Sequence, residues 1–274
     1  MSTPDRIDLR HQVLAPAVFL TWGTDGIASH PGETFGAASG YFISPSLVMT
    51  VRHVGQMIEN ELRREGVPWN AESKFRPFCI QVHDPRTGLS WEVVSLSDSP
   101  AADLALLTVE PVLIGDNIAD HFSEFARTFL GPAHRTRRLE IGESVAVKGF
   151  TEIAAILDYD HTPQGSHRQI RVSAYGQVAV GHIGELHPTG KLGRQWPTFD
   201  LEGVGATGQM SGGPVVDSDG YIVGVISSSL DKDTITSVVD WPTIIANNDY
   251  PVANDGSCLI RFDGMAYKVL HVTS

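Results

Sequence analysis

Ser211-Gly212-Gly213-Pro214-Val215-Val216-Asp217-Ser218-Asp219-Gly220-Tyr221-Ile222-Val223-Gly224-Val225-Ile226 is the stretch on which the reading of this chain turns. Two apolar runs flank Asp219-Gly220, a dipeptide that tolerates positive φ and closes hairpins. The pattern reads as strand, turn, strand, entered through Ser-Gly-Gly-Pro. A serine ahead of two glycines fits a tight loop with its hydroxyl exposed and its own N–H turned outward. The glycines let a second backbone approach closely. Such a hydroxyl is a weak nucleophile until a base stands within hydrogen-bond reach. The competing reading is a glycine-rich hairpin entry without chemistry.

Outward from this stretch, short apolar runs recur at 17–22, 40–43, 47–51, 80–83, 91–96, 104–109, 143–149, 169–175, 176–180 and 237–239. They are rich in Val, Ile and Tyr and bounded by turn formers, the pattern of an all-β barrel or sandwich. Asp263-Gly264 reads as a second hairpin turn. Two segments carry helical spacing instead. One is 54–64, with Val54, Met57, Ile58 and Leu62. The other is 118–130, with Phe122, Phe125, Phe129 and Leu130 on one face. The basic group His134, Arg135, Arg137 and Arg138 after it reads as a solvated linker face between two β halves.

A base for Ser211 must come from the 11 histidines. His53 is distinguished by its setting: strand, turn and strand over 40–50, then Thr50-Val51-Arg52-His53-Val54 entering helical spacing. A histidine at such a junction is held rigidly and can face a cleft. Asp103 precedes the apolar run Leu104-Ala105-Leu106-Leu107-Thr108-Val109. A carboxylate leading a buried strand is costly unless paired. Accepting a hydrogen bond from an imidazole would pair it and fix the histidine tautomer. Asp98 competes for that role.

Thr50-x-x-His53, Asp103-Leu-Ala-Leu-Leu and Ser211-Gly-Gly-Pro, in that order, resemble the chymotrypsin-like (trypsin-like) serine proteases over roughly residues 13–245. The likeness is greater to bacterial members than to digestive ones. It implies an all-β fold of two six-stranded antiparallel barrels with short helical insertions. The organisation expected is 1–115 as an N-terminal barrel carrying His53 and Asp103, 116–140 as a helical linker, and 141–274 as a C-terminal barrel carrying Ser211, with a C-terminal extension. It further implies Ser211 as nucleophile, His53 as general base and Asp103 as its orienting acid. The backbone N–H groups of Gln209 and Ser211 would form the oxyanion hole. Gly205, Ala206 and Thr207 would floor the specificity pocket, with Ser227, Ser228 and Ser229 as one wall. No acid stands at that floor, so a small or apolar preference is expected rather than Lys or Arg.

The chain departs from the family pattern just before the nucleophile. Gln209-Met210 stand where Gly-Asp or Gly-Asn is usual, and glycine suits a peptide that must orient freely. The expectation is that Gln209 holds this peptide flipped until the correct substrate or an activating partner binds. Met1-Ser2-Thr3 also lacks the Ile-Val-Gly-Gly-like mature end, so the family's zymogen route is not expected.

The balance of 20 basic against 32 acidic residues gives a net charge of −12. Such a surface repels phosphate backbones, so nucleic acid is not an expected partner. Two cysteines, Cys79 and Cys258, make no disulfide framework. No signal-like run and no stretch of ~20 apolar residues is evident, so a soluble, cytoplasmic protein without a membrane partner is expected. Asp158, Asp160, His161 and His167, and also His182 and His187, match no metal-binding spacing and read as solvated loops. The expectation is no metal and no cofactor. The function expected is a serine endopeptidase acting on protein or peptide substrates. The alternative is a pseudoprotease that keeps the fold as a binding module, and the intact Ser, His and Asp weigh against it. An α/β esterase would need Gly-x-Ser-x-Gly among alternating helices and strands, which is not found here.

Overall fold

The computed structural model describes residues 17–24, 36–64, 78–99, 101–112, 118–162, 165–191, 195–231, 235–247, 250–252, 257–262 and 265–270. Asp263-Gly264 lies outside them. Six strands form a closed barrel in the order β1-β2-β3-β6-β5-β4. They are β1 (Ala17–Thr24), β2 (Gly36–Ser44), β3 (Leu47–Thr50), β4 (Phe78–Asp84), β5 (Leu89–Asp98) and β6 (Ala105–Pro111). Helix α1 (Arg52–Arg64) leaves the end of β3.

Helix α2 (Ile118–Thr128) follows, then a short β7 (Ala133–His134). The second half comprises β8 (Ser144–Thr162), β9 (Gly165–His187), β10 (Thr198–Glu202), β11 (Pro214–Asp217), β12 (Ile222–Asp231) and β13 (Ile235–Asp240). These run β11-β8-β9-β10-β13-β12, and pairing of β11 with β12 closes them into the second six-stranded barrel. Helix α3 (Trp241–Asn247) and the hairpin β14 (Ser257–Phe262) and β15 (Met265–Leu270) complete the chain. β7 joins that hairpin to β12 through parallel bridges. The two six-stranded antiparallel barrels with few short helices are the expected fold class.

Asp219-Gly220 closes the β11–β12 hairpin. Gly220 takes φ +85°, and the Asp217 carboxylate accepts from the Asp219 and Tyr221 N–H groups at 3.0 Å each. The runs at 169–175 and 176–180 belong to one strand, β9, because Gly176 keeps extended pairing opposite Phe150. His182 and His187 lie on β9, and Asp158, Asp160, His161 and His167 on the β8–β9 pair, so these are strand positions rather than loops. β10 escaped the sequence reading; its run Thr-Phe-Asp-Leu-Glu interrupts the apolar signal with a charge.

The aromatic face of α2 caps the first barrel. Phe122 meets Trp91 with ring centres 5.1 Å apart, and Phe125 and Phe129 stack around Phe42. Leu130, read as part of that face, is 79 % exposed because the helix ends at Thr128. The basic group after α2 is not a solvated face throughout. His134 and Arg135 are buried. Arg135 grips Glu143 bidentately at 2.6 and 2.7 Å, reaches Asp217 at 3.4 Å and donates to the Arg138 carbonyl at 2.9 Å. His134 joins the barrels: its Nε2 lies 3.2 Å from the Tyr41 hydroxyl, which accepts from Trp241 Nε1 at 3.0 Å. No helix among the described residues is long and apolar enough to cross a membrane.

Candidate active site

β3 ends at Thr50 and α1 begins at Arg52, so His53 sits in the first helical turn, where backbone N–H groups lack partners within the helix. Asp103 supplies one: its Oδ1 accepts the His53 N–H at 3.1 Å. The same carboxylate faces the imidazole, with Nδ1 3.1 Å from Oδ2 and 3.3 Å from Oδ1. The Asp103 side chain is 5 % exposed and that of His53 39 %. The acid is enclosed while the base keeps an open edge. Burial alone pushes the Asp103 carboxyl up. Hydrogen bonds from the His53 ring, from Ser227 and from the His53 backbone, together with the histidine's charge, outweigh burial and hold it below its ordinary value.

Ser227 ties this pair to Ser211. Its hydroxyl donates to Asp103 Oδ2 at 2.5 Å. Its carbonyl accepts from Ser211 Oγ at 3.2 Å. One residue of β12 therefore touches both Ser211 and Asp103. Ser211 is only 5 % exposed, less open than its glycine-rich setting suggests. The cause is the clamp around it: the Ser39 N–H on β2 donates to the Ser211 carbonyl at 2.9 Å. Gly212, at φ +89°, lies so close to β2 and β3 that a Cβ would overlap the Ser39 carbonyl and the Thr50 hydroxyl. This is the close approach that the two glycines permit.

The residues ahead of Ser211 form a single 3₁₀ turn, Gly208–Met210. Met210 N–H donates to the Thr207 carbonyl at 3.0 Å and Ser211 N–H to the Gly208 carbonyl at 3.4 Å. The Ser211 N–H, one expected oxyanion donor, is thus engaged internally. The Gln209 carbonyl accepts from Ser39 Oγ at 2.8 Å, and Ser39 Oγ accepts from the Phe150 N–H at 2.9 Å. The Gln209 amide pairs with the backbone of Ile153: Oε1 accepts its N–H at 3.0 Å and Nε2 donates to its carbonyl at 3.4 Å.

Gly205, Ala206 and Thr207 form the strip leading into this turn. Ala206 N–H donates to Thr236 Oγ1 at 3.1 Å, and Thr236 Oγ1 donates to the Val204 carbonyl at 2.8 Å. Ser227 is buried and Ser228 half-buried on β12, and the backbone of Ser229 pairs with Thr236.

The family of trypsin-like peptidase domains matches residues 38–225, more than half of the chain. This chain belongs to the trypsin-like peptidase family. Among solved structures it is similar to the Rv3671c protease from M. tuberculosis in its active form, at 17 % identity over 89 % of this chain and 86 % of that one, with a TM-score of 0.49. The inactive form of that protease gives 18 % identity over 89 % and 93 %, with a TM-score of 0.48. No curated protein matches significantly.

In this peptidase Asp98, the competitor of Asp103, faces Arg52 Nε at 3.4 Å and is a quarter exposed. Burial pushes its carboxyl up ahead of the opposing pull of Arg52. On β9 and β10 of the second barrel, Glu185, His187 and Asp200 bring ligand-type atoms together. Lys191 Nζ already donates to Asp200 Oδ2 at 2.6 Å, and His187 Nε2 lies 3.2 Å from Oδ1. The ammonium supplies the charge that a cation would bring, so the group reads as an ion-pair cluster. The sequence reading missed Ser39, Ile153 and Thr236 as members of this neighbourhood, and it assigned Ser227 only to a pocket wall. Contacts across up to 170 residues of separation leave no local signal.

Proposed function

We propose that this trypsin-like peptidase is a serine endopeptidase. Ser211 is its nucleophile, His53 its general base and Asp103 the residue that orients the histidine. The observation that carries the proposal is the bridge through Ser227, which contacts Ser211 Oγ with its carbonyl and Asp103 with its hydroxyl. Ser211 thereby shares a neighbour with Asp103, whose carboxylate faces the His53 ring, and this supports reading the three as one unit.

In the proposed reaction Ser211 Oγ leaves the Ser227 carbonyl and turns to Nε2 of neutral His53. His53 takes the hydroxyl proton as Oγ attacks the scissile carbonyl carbon. The Asp103 carboxylate holds Nδ1–H and stabilises the imidazolium. The tetrahedral intermediate collapses as His53 gives its proton to the leaving amine. Water, deprotonated by His53, then attacks the acyl-enzyme and releases the acid product and Ser211. The negative oxygen needs the N–H groups of Ser211 and Gln209, each such donor being worth ~2.7–4 kcal/mol in the transition state. No acidic or basic side chain lies on the 205–207 strip, which favours small or apolar residues at the cleaved position. The setting we propose is the cytoplasm.

The test is digestion of a complex peptide library, with new N-termini mapped by mass spectrometry, for wild type and Ser211→Ala. The proposal expects internal cleavages, enriched for small or apolar residues before the cut, that vanish in Ser211→Ala. Cleavages that persist in the variant would overturn it.

A further inference from the structure

We propose that Gln209 is a positioning residue that latches the oxyanion loop shut at rest, and that substrate binding opens it. The inference rests on the serine-peptidase reading above and deepens it. Residues 207–210 make a turn closed by Met210 N–H on the Thr207 carbonyl, and Ser211 N–H continues it onto the Gly208 carbonyl. In this arrangement the Gly208 carbonyl occupies the donor that an oxyanion would use. Freeing that donor and aiming the Gln209 N–H the same way requires the Gly208–Gln209 peptide to rotate by about half a turn. Such a rotation converts a type I turn into a type II turn, in which the third residue must adopt φ near +80°. The third residue here is Gln209. Its Cβ makes that conformation costly, whereas glycine adopts it freely.

The side chain adds a second restraint. The Gln209 amide pairs with both backbone groups of Ile153. Ile153 sits in a bulge of β8, where two residues face one between the Thr151 and Ala154 pairings, and the adjoining Glu152 takes φ +52°. The bulge turns Ile153's N–H and carbonyl away from the strand ladder and toward Gln209. The carbonyl of Gln209 is held in turn by Ser39 of the first barrel. Gly208, by contrast, is unobstructed; a Cβ there would meet nothing within 4 Å. The loop therefore has open space beside 208 and a latch at 209. Opening needs the latch to release, so a correct substrate must supply the difference, which makes the loop a specificity device by induced fit.

The experiment measures acylation of wild type, Gln209→Ala and Gln209→Gly by a p-nitrophenyl ester, separating kcat from KM. Alanine removes the side-chain latch and keeps the turn cost; glycine removes both. The acylation rate should rise about fivefold in Gln209→Ala. It should rise by roughly thirtyfold in Gln209→Gly, with KM little changed. Equal rates in wild type and Gln209→Ala, or a loss in either variant, overturn the latch while leaving the nucleophile in place. No acylation in any of the three overturns the serine-peptidase reading and the latch with it. A measurement on the wild type guards against misfolded variants. Hydrogen exchange at the Ile153 amide should quicken once a fluorophosphonate occupies Ser211, and unchanged exchange in the labelled protein overturns the latch.

Discussion

Asp103→Asn exchanges one carboxylate oxygen for an NH₂ group, and the structure dictates where that group goes. Oδ1 accepts the backbone N–H of His53 at 3.1 Å, a donor that cannot change its role. An NH₂ placed there would set donor against donor. The amide oxygen must therefore keep the Oδ1 position, and the NH₂ must take the Oδ2 position, 3.1 Å from Nδ1. There it donates to the ring, which forces the tautomer protonated at Nε2. That nitrogen then cannot accept the Ser211 proton. Ser227 Oγ can reverse and accept from the NH₂, so the fold should survive. The expected loss in kcat is about 10⁴-fold, or about 5.5 kcal/mol of transition-state stabilisation. The assay is steady-state hydrolysis of a cleaved peptide, with circular dichroism and thermal unfolding to show an intact fold. Asp98→Asn is the control, and its activity should stay within a few-fold of wild type. A folded Asp103→Asn enzyme within tenfold of wild type would refute the reasoning.

Gly212→Ala should unfold or distort the nucleophile loop, because its φ of +89° and the nearby Ser39 carbonyl leave no room for a Cβ; the check is loss of activity with a fall in thermal midpoint. Arg135→Met should destabilise the second barrel by about 3–5 kcal/mol in denaturant unfolding, since Glu143 and Asp217 lose the guanidinium that pairs them. Burial lowers the His83 pKa from 6.5 to about 4. The folded form thus prefers neutral His83, and its contribution to stability is full above pH 6.5 and lost as pH falls toward 4. Over that window wild type should lose up to about 1.4 kcal/mol per pH unit relative to His83→Gln, read from urea midpoints at several pH values; parallel pH curves would contradict it.

Much of the architecture was legible because short apolar runs bounded by turn formers carry strand identity locally. The residues around Ser211 were legible because a hairpin dipeptide and two glycines impose backbone constraints wherever they occur. Helix α1 and the aromatic face of α2 were readable by spacing, but Leu130 was not, since a helix end depends on capping rather than on periodicity. Arg135 looked solvated because a lone arginine in a basic group carries no sign of its partners Glu143 and Asp217, the second of which is far along the chain. β10 hid behind Asp200, a buried charge made tolerable by Lys191. Gln209 was legible as a departure from a glycine, yet its bond to Ile153 was not. That contact depends on a bulge in β8, and bulges are set by register.

Activation of Ser211 by His53 is the step on which the proposed chemistry depends. The direct measurement is reaction with a fluorophosphonate, followed by intact mass and peptide mapping. A single adduct on Ser211 is predicted, absent in Ser211→Ala and formed far more slowly in folded His53→Ala. An adduct on another residue, or one on Ser211 that forms equally fast without His53, would contradict the account.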